Sequence, residues 1–124
     1  ECLLVQGKPE SKYYDKINNL TIKSHLSAIE LNQAILNSEL IICRSGYSTI
    51  MDLITLEKNA ILVPTPGQTE QEYLAQYLSK ENLFQNQNQK NFSISIAQKQ
   101  SEHFVKLSYI KRENNWESVF QIFK

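Results

Sequence analysis

Two segments of the chain place hydroxyl, amide and charged side chains directly after an apolar run. The first segment follows the apolar run 40–43 and opens a helical pattern. Its candidate binding residues are Arg44, Ser45, Gly46, Ser48, Thr49 and Asp52. A glycine lets the backbone approach a ligand, and the unpaired N–H groups of a helix start, with hydroxyls and a nearby cation, suit a phosphate. An anion-binding loop is one interpretation of this pattern.

The second segment follows the apolar run 60–63 and passes through a turn rich in proline and glycine. Its candidate residues are Glu70, Gln71 and Glu72. Carboxylate and amide groups at the end of a strand are well suited to hydrogen-bond sugar hydroxyls. A sugar-binding role is one interpretation, and a solvated polar surface is the other.

Helix capping explains part of the same two patterns. Thr49 and Asp52 have the spacing of a capping box, as do Thr69 and Glu72. In that interpretation the threonine is the N-cap and the acid reaches back to the backbone. Capping and ligand binding both stay open at this stage, because one residue can serve both.

Other chemistry is poorly supported. The chain has neither a dinucleotide-binding glycine fingerprint nor a Walker A loop, and its glycines are Gly7, Gly46 and Gly67. His25 and His103 are far apart and lack the spacing of metal ligands, so no metal or cofactor is predicted. Cys43 is predicted to be a wall residue of a sheet instead of a nucleophile paired with histidine.

Apolar runs that alternate with helical patterns predict an α/β fold with a Rossmann-like parallel sheet and helices on both faces. Residues 1–124 are expected to form one domain. A mobile surface loop is predicted over 85–91. The predicted strands are 2–6, 20–24, 40–43, 60–64 and, more weakly, 92–96. The predicted helical stripes are Leu31, Ala34 and Ile35; Ile50, Leu53 and Ile54; Leu74, Tyr77 and Leu78; and Trp116, Val119, Phe120 and Phe123.

Composition narrows the functional class. The 124 residues carry 13 basic and 13 acidic side chains, so no overall positive field favours nucleic acid. No apolar run is long enough to span a membrane. Two cysteines without a disulfide framework, Cys2 and Cys43, favour a cytoplasmic location. A start at Glu1, directly before an apolar run, suggests a fragment of a larger protein.

Three stretches, residues 38–52, residues 59–64 and the pair Glu70-Gln71, resemble the C-terminal domain of glycosyltransferase family 28. The similarity extends over roughly residues 26–84 and is carried by two linked motifs. It implies the C-terminal half of a GT-B glycosyltransferase, truncated at its N-terminus, in which this half holds the nucleotide-sugar donor.

The resemblance also implies roles for individual residues. Ser45, Gly46, Ser48 and Thr49 would line the diphosphate, with Arg44 adding positive charge. Asp52 stands where the family has a glutamate that binds the ribose. Gln71 matches a glutamine near the donor sugar, and Glu70 and Glu72 lie beside it. The turn 25–27 would lie near the base.

The implied reaction transfers a hexose or N-acetylhexosamine from a donor that is expected to be a UDP-sugar. The general base belongs to the acceptor domain, so this chain is expected to hold no catalytic residue and to contact a membrane only through that missing half. Ala75-Gln76 replaces the family's Asn-Ala pair. Two alternatives stay open: an epimerase or hydrolase on the same scaffold, and a non-catalytic interaction module or subunit of a split transferase.

Overall fold

The computed structural model describes residues 1–80 and 83–104. The chain divides into two compact units, Glu1–Asn37 and Ser38–Lys124. The aromatic helical stripe predicted from Trp116 to Phe123 lies outside the described residues. Within the described ranges, no helix has the length and apolar character needed to cross a membrane.

The first unit contains a three-stranded sheet and one helix. Its elements are β1 (Cys2–Val5), β2 (Tyr14–Ile17), β3 (Leu20–Lys23) and α1 (Ala28–Asn37). The strand order is β1-β3-β2, with β1 parallel and β2 antiparallel to β3. Strands β1 and β3 confirm the sequence prediction, whereas the β2–β3 hairpin was not predicted. Its signal was Asn18, which turns the chain at φ 54, a conformation that asparagine tolerates.

The second unit alternates strands and helices in the Rossmann-like manner that the sequence predicted. Its elements are β4 (Ile42–Cys43), α2 (Tyr47–Thr55), β5 (Ile61–Leu62), α3 (Thr69–Lys80), β6 (Gln85–Asn86), a 3-10 turn (Gln89–Asn91) and α4 (Ile94–Ser101). The three strands are parallel, in the order β4-β5-β6. Ile42 is in register with Ile61, and Ile61 with Gln85.

The core of the second unit surrounds β5. The central strand is buried on both faces, as its continuous apolar run predicts. The apolar runs of β1 and β4 would suggest the same burial, but Leu4 of β1 is 49% exposed and Ile42 of β4 is 40% exposed. Both are edge strands of their sheets. The buried apolar residues of this core are Ile50, Leu53, Ile54, Ala60, Ile61, Leu62, Val63, Leu74, Ala75, Leu78, Leu83, Phe84 and Ala97.

The predictions for residues 85–96 were wrong in two respects. The tract 85–91, predicted as a mobile loop, contains β6 and the 3-10 turn. Its backbone pairs with β5, where the Gln87 N–H donates to the Leu62 carbonyl at 3.0 Å. The weakly predicted strand 92–96 is the start of α4, because the Ser93 hydroxyl caps that helix by accepting from the Ile96 N–H at 3.3 Å.

Candidate functional site

The carboxyl ends of β4, β5 and β6 lie at one edge of the parallel sheet. The register of the strands brings Cys43 level with Leu62, and Leu62 level with Asn86. The segments that leave these ends, 44–46, 63–68 and 87–88, therefore emerge on the same side. Open α/β sheets bind their ligands at this edge.

Helix α2 starts at this edge without a side-chain cap. Gly46 is its N-cap, with φ −74 and ψ 147, and makes no side-chain capping bond. The first helical hydrogen bond runs from the Ile50 N–H to the Gly46 carbonyl at 3.1 Å. The preceding N–H groups of this turn therefore have no helical carbonyl to bond. The prediction that Thr49 is the N-cap was wrong, because the extended backbone at Gly46 starts the helix before it.

Helices α1 and α4, by contrast, have side-chain caps. In α1 the Glu30 N–H donates to the Ser27 hydroxyl at 3.2 Å, and the Ser27 N–H donates to the Glu30 carboxylate at 2.9 Å. The bond from the Ser27 N–H, followed by an interaction with the Ser27 side chain, lowers the pKa of Glu30, since hydrogen bonds to the carboxylate favour its charged form. Helix α4 has the Ser93 cap described above. The start of α2 thus contrasts with helices whose first turns are satisfied by their own side chains.

Gly46 is not required by the protein's own geometry. Its φ of −74 is open to any residue, and a Cβ placed on it would meet no atom within 4 Å. Gly67, by comparison, has φ +83, a conformation that favours glycine. Close approach of a ligand to the backbone is a reason for glycine at position 46 that neither strain nor packing supplies.

Ser45 is fully buried and ties two loops together. Its hydroxyl donates to the backbone carbonyl of Gln71 at 2.6 Å, and its exposed fraction is 0%. The sequence predicted that Ser45 lines a diphosphate. Because its hydroxyl is committed to α3, the side chain holds the start of α2 against the start of α3 instead of facing solvent.

Gln71 is likewise engaged in holding a loop. Its side-chain carbonyl accepts from the Thr65 N–H at 2.8 Å, so it fixes the backbone that follows β5. Glu72 accepts from the Gly67 N–H at 3.3 Å. The predicted N-cap Thr69 is the first helical residue of α3, so the acid reaches back to the turn before the helix and not to Thr69.

Arg44 reaches the end of β5 and the polar tract after β6. Its Nη1 donates to the Val63 carbonyl at 3.1 Å and to the Pro64 carbonyl at 3.3 Å. Its Nη2 donates to the side-chain carbonyl of Gln89 at 2.6 Å. All three acceptors are neutral, so these contacts orient the guanidinium without cancelling its charge.

The remaining predicted residues are exposed on the two helices. Ser48 and Thr49 lie in the first turn of α2, Asp52 in its second turn, and Glu70 in the first turn of α3. Their positions agree with a surface at the carboxyl edge of the sheet.

A groove of about 370 Å³ opens at the ends of β5 and β6. Its wall combines two prolines with amides and one carboxylate. The lining residues are Pro64, Pro66, Glu72, Gln76, Asn86, Gln87, Asn88 and Gln89. Two of them, Pro64 and Gln89, also hold the Arg44 guanidinium, so this side chain lies at the edge of the groove.

The amides of residues 86–89 are the part of the site that sequence reasoning missed. Gln87 pairs with the Ser93 backbone through both ends of its amide, at 2.8 and 3.0 Å, and also donates to Gln100 at 3.0 Å. Gln100 in turn donates to the Asn86 carbonyl at 3.1 Å. Because main-chain pairing and long-range amide bonds order this tract, its polar composition alone gave no signal of structure.

Neither histidine nor cysteine forms a second site. His25 belongs to the first unit, where its Nδ1 lies 3.2 Å from the Ser11 carbonyl. Its place near the nucleotide base stays a prediction. Burial raises the pKa of the Cys43 thiol to about 12, which leaves it a poor nucleophile. Across residues 1–80 and 83–104, no group of histidine, cysteine and acidic side chains could hold a metal ion.

Comparison with known proteins identifies the family of this chain. The profile of the glycosyltransferase family 28 C-terminal domain matches residues 6–118. The UDP-N-acetylglucosamine--N-acetylmuramyl-(pentapeptide) pyrophosphoryl-undecaprenol N-acetylglucosamine transferase of Prochlorococcus marinus (strain MIT 9301) is 32% identical over 115 residues. The aligned region covers 90% of this chain and 31% of that relative, so the chain spans about a third of the relative's length. No solved structure gives a significant match. The chain therefore belongs to the C-terminal domain family of glycosyltransferase family 28.

Proposed function

We propose that this chain is the donor-binding domain of a glycosyltransferase and that its donor is a UDP-sugar, from which a hexose or N-acetylhexosamine is transferred. Family membership supports the glycosyltransferase class. The observation that carries the binding proposal is the start of α2. The N-cap Gly46 makes no side-chain capping bond there, and a Cβ at this position would meet no atom within 4 Å.

The diphosphate is proposed to bind at this start. Ser48 and Thr49 are exposed residues there whose hydroxyls and first-turn N–H groups suit a phosphate, and the helix dipole favours a negative charge. Arg44 adds a cation whose contacts are all to neutral acceptors. Ser45 is proposed as a positioning residue, because its hydroxyl bond to the Gln71 carbonyl holds the same turn against α3.

The sugar is proposed to occupy the groove at the ends of β5 and β6. Its amides and the Glu72 carboxylate supply donors and acceptors for hydroxyl groups, and its prolines supply an apolar surface for a ring. Glu70 and Gln71 lie at the adjoining start of α3. Asp52, one turn along α2, is proposed to bind the ribose hydroxyls.

This arrangement would stabilise the departing nucleoside diphosphate. Negative charge grows on the nucleoside diphosphate as the bond between its outer phosphate oxygen and the anomeric carbon of the sugar breaks, and fixed N–H groups with one guanidinium stabilise that charge. The activation of the acceptor hydroxyl is assigned to a partner domain that binds the acceptor. The two unpaired cysteines support a reducing, cytoplasmic setting for the protein.

An amide-resolved NMR titration with UDP, GDP, ADP and inorganic pyrophosphate tests the proposal. UDP is expected to shift the amide signals of residues 46–49, with millimolar or tighter affinity, equivalent to roughly 4 kcal/mol or more. Gly46→Ala should weaken binding by about tenfold or more, because its methyl group intrudes where the diphosphate meets the backbone. Ser93→Ala, which removes the cap of α4, is the matched control and should leave UDP affinity unchanged.

The outcomes separate the alternatives. Shifts with UDP and none with ADP identify the base. Equal shifts with every ligand, pyrophosphate included, would show a general anion site and contradict the choice of a UDP-sugar. No response of either the 124-residue chain or the longest polypeptide that contains it would contradict donor binding and favour a non-catalytic interaction module.

A further inference from the structure

We infer that Gln89 is a positioning residue, which holds the Arg44 guanidinium at the edge of the groove so that its charge serves the donor's diphosphate. The inference rests on the proposed function and deepens it. Neither the sequence motifs nor the family resemblance singles out Gln89. It lies in the amide tract after β6, 45 residues from Arg44 along the chain.

The guanidinium is fixed through two nitrogens. Nη1 is held by the carbonyls of Val63 and Pro64, which the end of β5 presents. Nη2 has the contact with Gln89, and at 2.6 Å it is the shortest of the three. A planar fork that is bonded through one nitrogen can pivot about that bond, whereas bonds through two nitrogens fix its plane. Gln89 therefore supplies the second point that sets the orientation.

The backbone on both sides of Gln89 is held by hydrogen bonds. Gln89 opens the 3-10 turn, and the Asn88 side chain caps this turn by accepting from the Lys90 N–H at 2.9 Å. On the preceding side, Gln87 is bonded through its backbone to β5 and through its amide to Ser93. These contacts hold the backbone of Gln89 independently of Arg44.

The neutrality of this partner is the functional point. A carboxylate at position 89 would hold the guanidinium at least as well, but it would cancel most of the local positive charge. The amide orients the cation and leaves that charge available to an anion. Gln89 also lines the groove, so the same side chain joins the diphosphate end of the site to the sugar end.

The test compares UDP with uridine, which lacks phosphates, on four forms of the protein by NMR or calorimetry. Gln89→Met keeps the length but loses the acceptor, and should weaken UDP binding by about 3- to 10-fold. Gln89→Glu keeps the acceptor but adds a negative charge, and should weaken UDP at least as much. Neither change should alter uridine binding. Asn91→Ala, an exposed amide in the same 3-10 turn, is the matched control and should bind UDP like the wild type.

A double-mutant cycle shows whether Gln89 acts through Arg44. In the Arg44→Ala background, Gln89→Met should have no further effect on UDP affinity. The inference is overturned if the Gln89 variants bind UDP like the wild type, if uridine binding falls equally, or if the two substitutions act additively. A wild-type protein that binds neither ligand would instead overturn the proposed function, and the inference with it.

Discussion

Replacing Ser45 by alanine distinguishes a buried tie from a ligand contact. The substitution removes one hydroxyl from a site with 0% exposure and breaks the 2.6 Å bond to the Gln71 carbonyl. That carbonyl belongs to α3 and keeps its helical donor, so it is not left without a partner. The expected loss is therefore close to one buried hydrogen bond, about 1.5 kcal/mol. For a chain of this size, this lowers the melting temperature by roughly 6 °C.

Ser48→Ala is the matched comparison, because it removes the same group from an exposed position three residues away. Its effect on stability should stay within about 0.5 kcal/mol. Its effect on UDP affinity should be about tenfold, since a hydrogen bond to a charged phosphate is lost. Thermal unfolding by circular dichroism and UDP titration measure the two quantities for each variant.

The two variants should thus show opposite patterns. Ser45→Ala should be less stable and should bind UDP within about threefold of the wild type at a temperature where both are folded. The reasoning is refuted if Ser45→Ala keeps the wild-type melting temperature and loses UDP affinity. That result would mean that the Ser45 hydroxyl faces the diphosphate, as the sequence alone predicted.

Three further measurements address other parts of the chain. A thiol reagent at pH 8 should modify the exposed Cys2 rapidly and Cys43 only after unfolding, because burial raises the pKa of Cys43 to about 12. Rapid reaction of both thiols in the folded protein would contradict this. Glu30→Gln should lower the free energy of unfolding near pH 7. The difference from the wild type should vanish as the pH falls below about 4.5, because the pKa of Glu30 is lowered from that value in the folded state and the stabilising charge is lost on protonation. A difference that stays constant in unfolding curves from pH 3 to 7 would refute the reasoning. Gln87→Ala should lower the stability by about 1–3 kcal/mol and increase amide hydrogen exchange over residues 85–93, whereas exchange like that of the wild type would contradict the ordering role of its amide bonds.

The pattern of apolar residues correctly predicted the elements that are buried in the core of the second unit. The central strand β5 and the stripe Ile50, Leu53 and Ile54 are buried as expected, because a continuous apolar run and a helical stripe each have one stable placement. The edge strands carry similar apolar runs and are partly exposed. Sequence alone could not tell a central strand from an edge strand, since strand order depends on long-range pairing.

Elements that depend on main-chain hydrogen bonds escaped prediction. Strand β6 consists of Gln85 and Asn86, whose side chains give no strand signal, and it exists through pairing with β5. The Gln87–Ser93 bonds span six residues in sequence and also follow no motif. A polar tract was therefore interpreted as a loop although its backbone and amides are satisfied within the fold.

For the candidate site, the segment from Arg44 to Asp52 stays a prediction. The family resemblance implied a ligand contact for Ser45, and the structure buries this residue. Composition and spacing do not reveal which way a side chain points at the end of a short strand. Four long-range bonds reveal it here: the two of Arg44 to the end of β5, its bond to Gln89, and that of Ser45 to α3.

Three consecutive residues consequently have three different tasks at the end of β4. Arg44 extends across the end of β5 to the amide tract, Ser45 turns inward to α3, and Gly46 leaves the backbone of α2 accessible. The bonds of Arg44 and Ser45 hold the backbone on which Gly46 follows at the end of β4. In the phosphate loop that we propose, contacts within the protein would set the position of the ligand-binding backbone. For this reason, substitutions at positions 44 and 45 must be judged by stability as well as by binding, and so must Gly46→Ala, since alanine is a poorer N-cap residue than glycine.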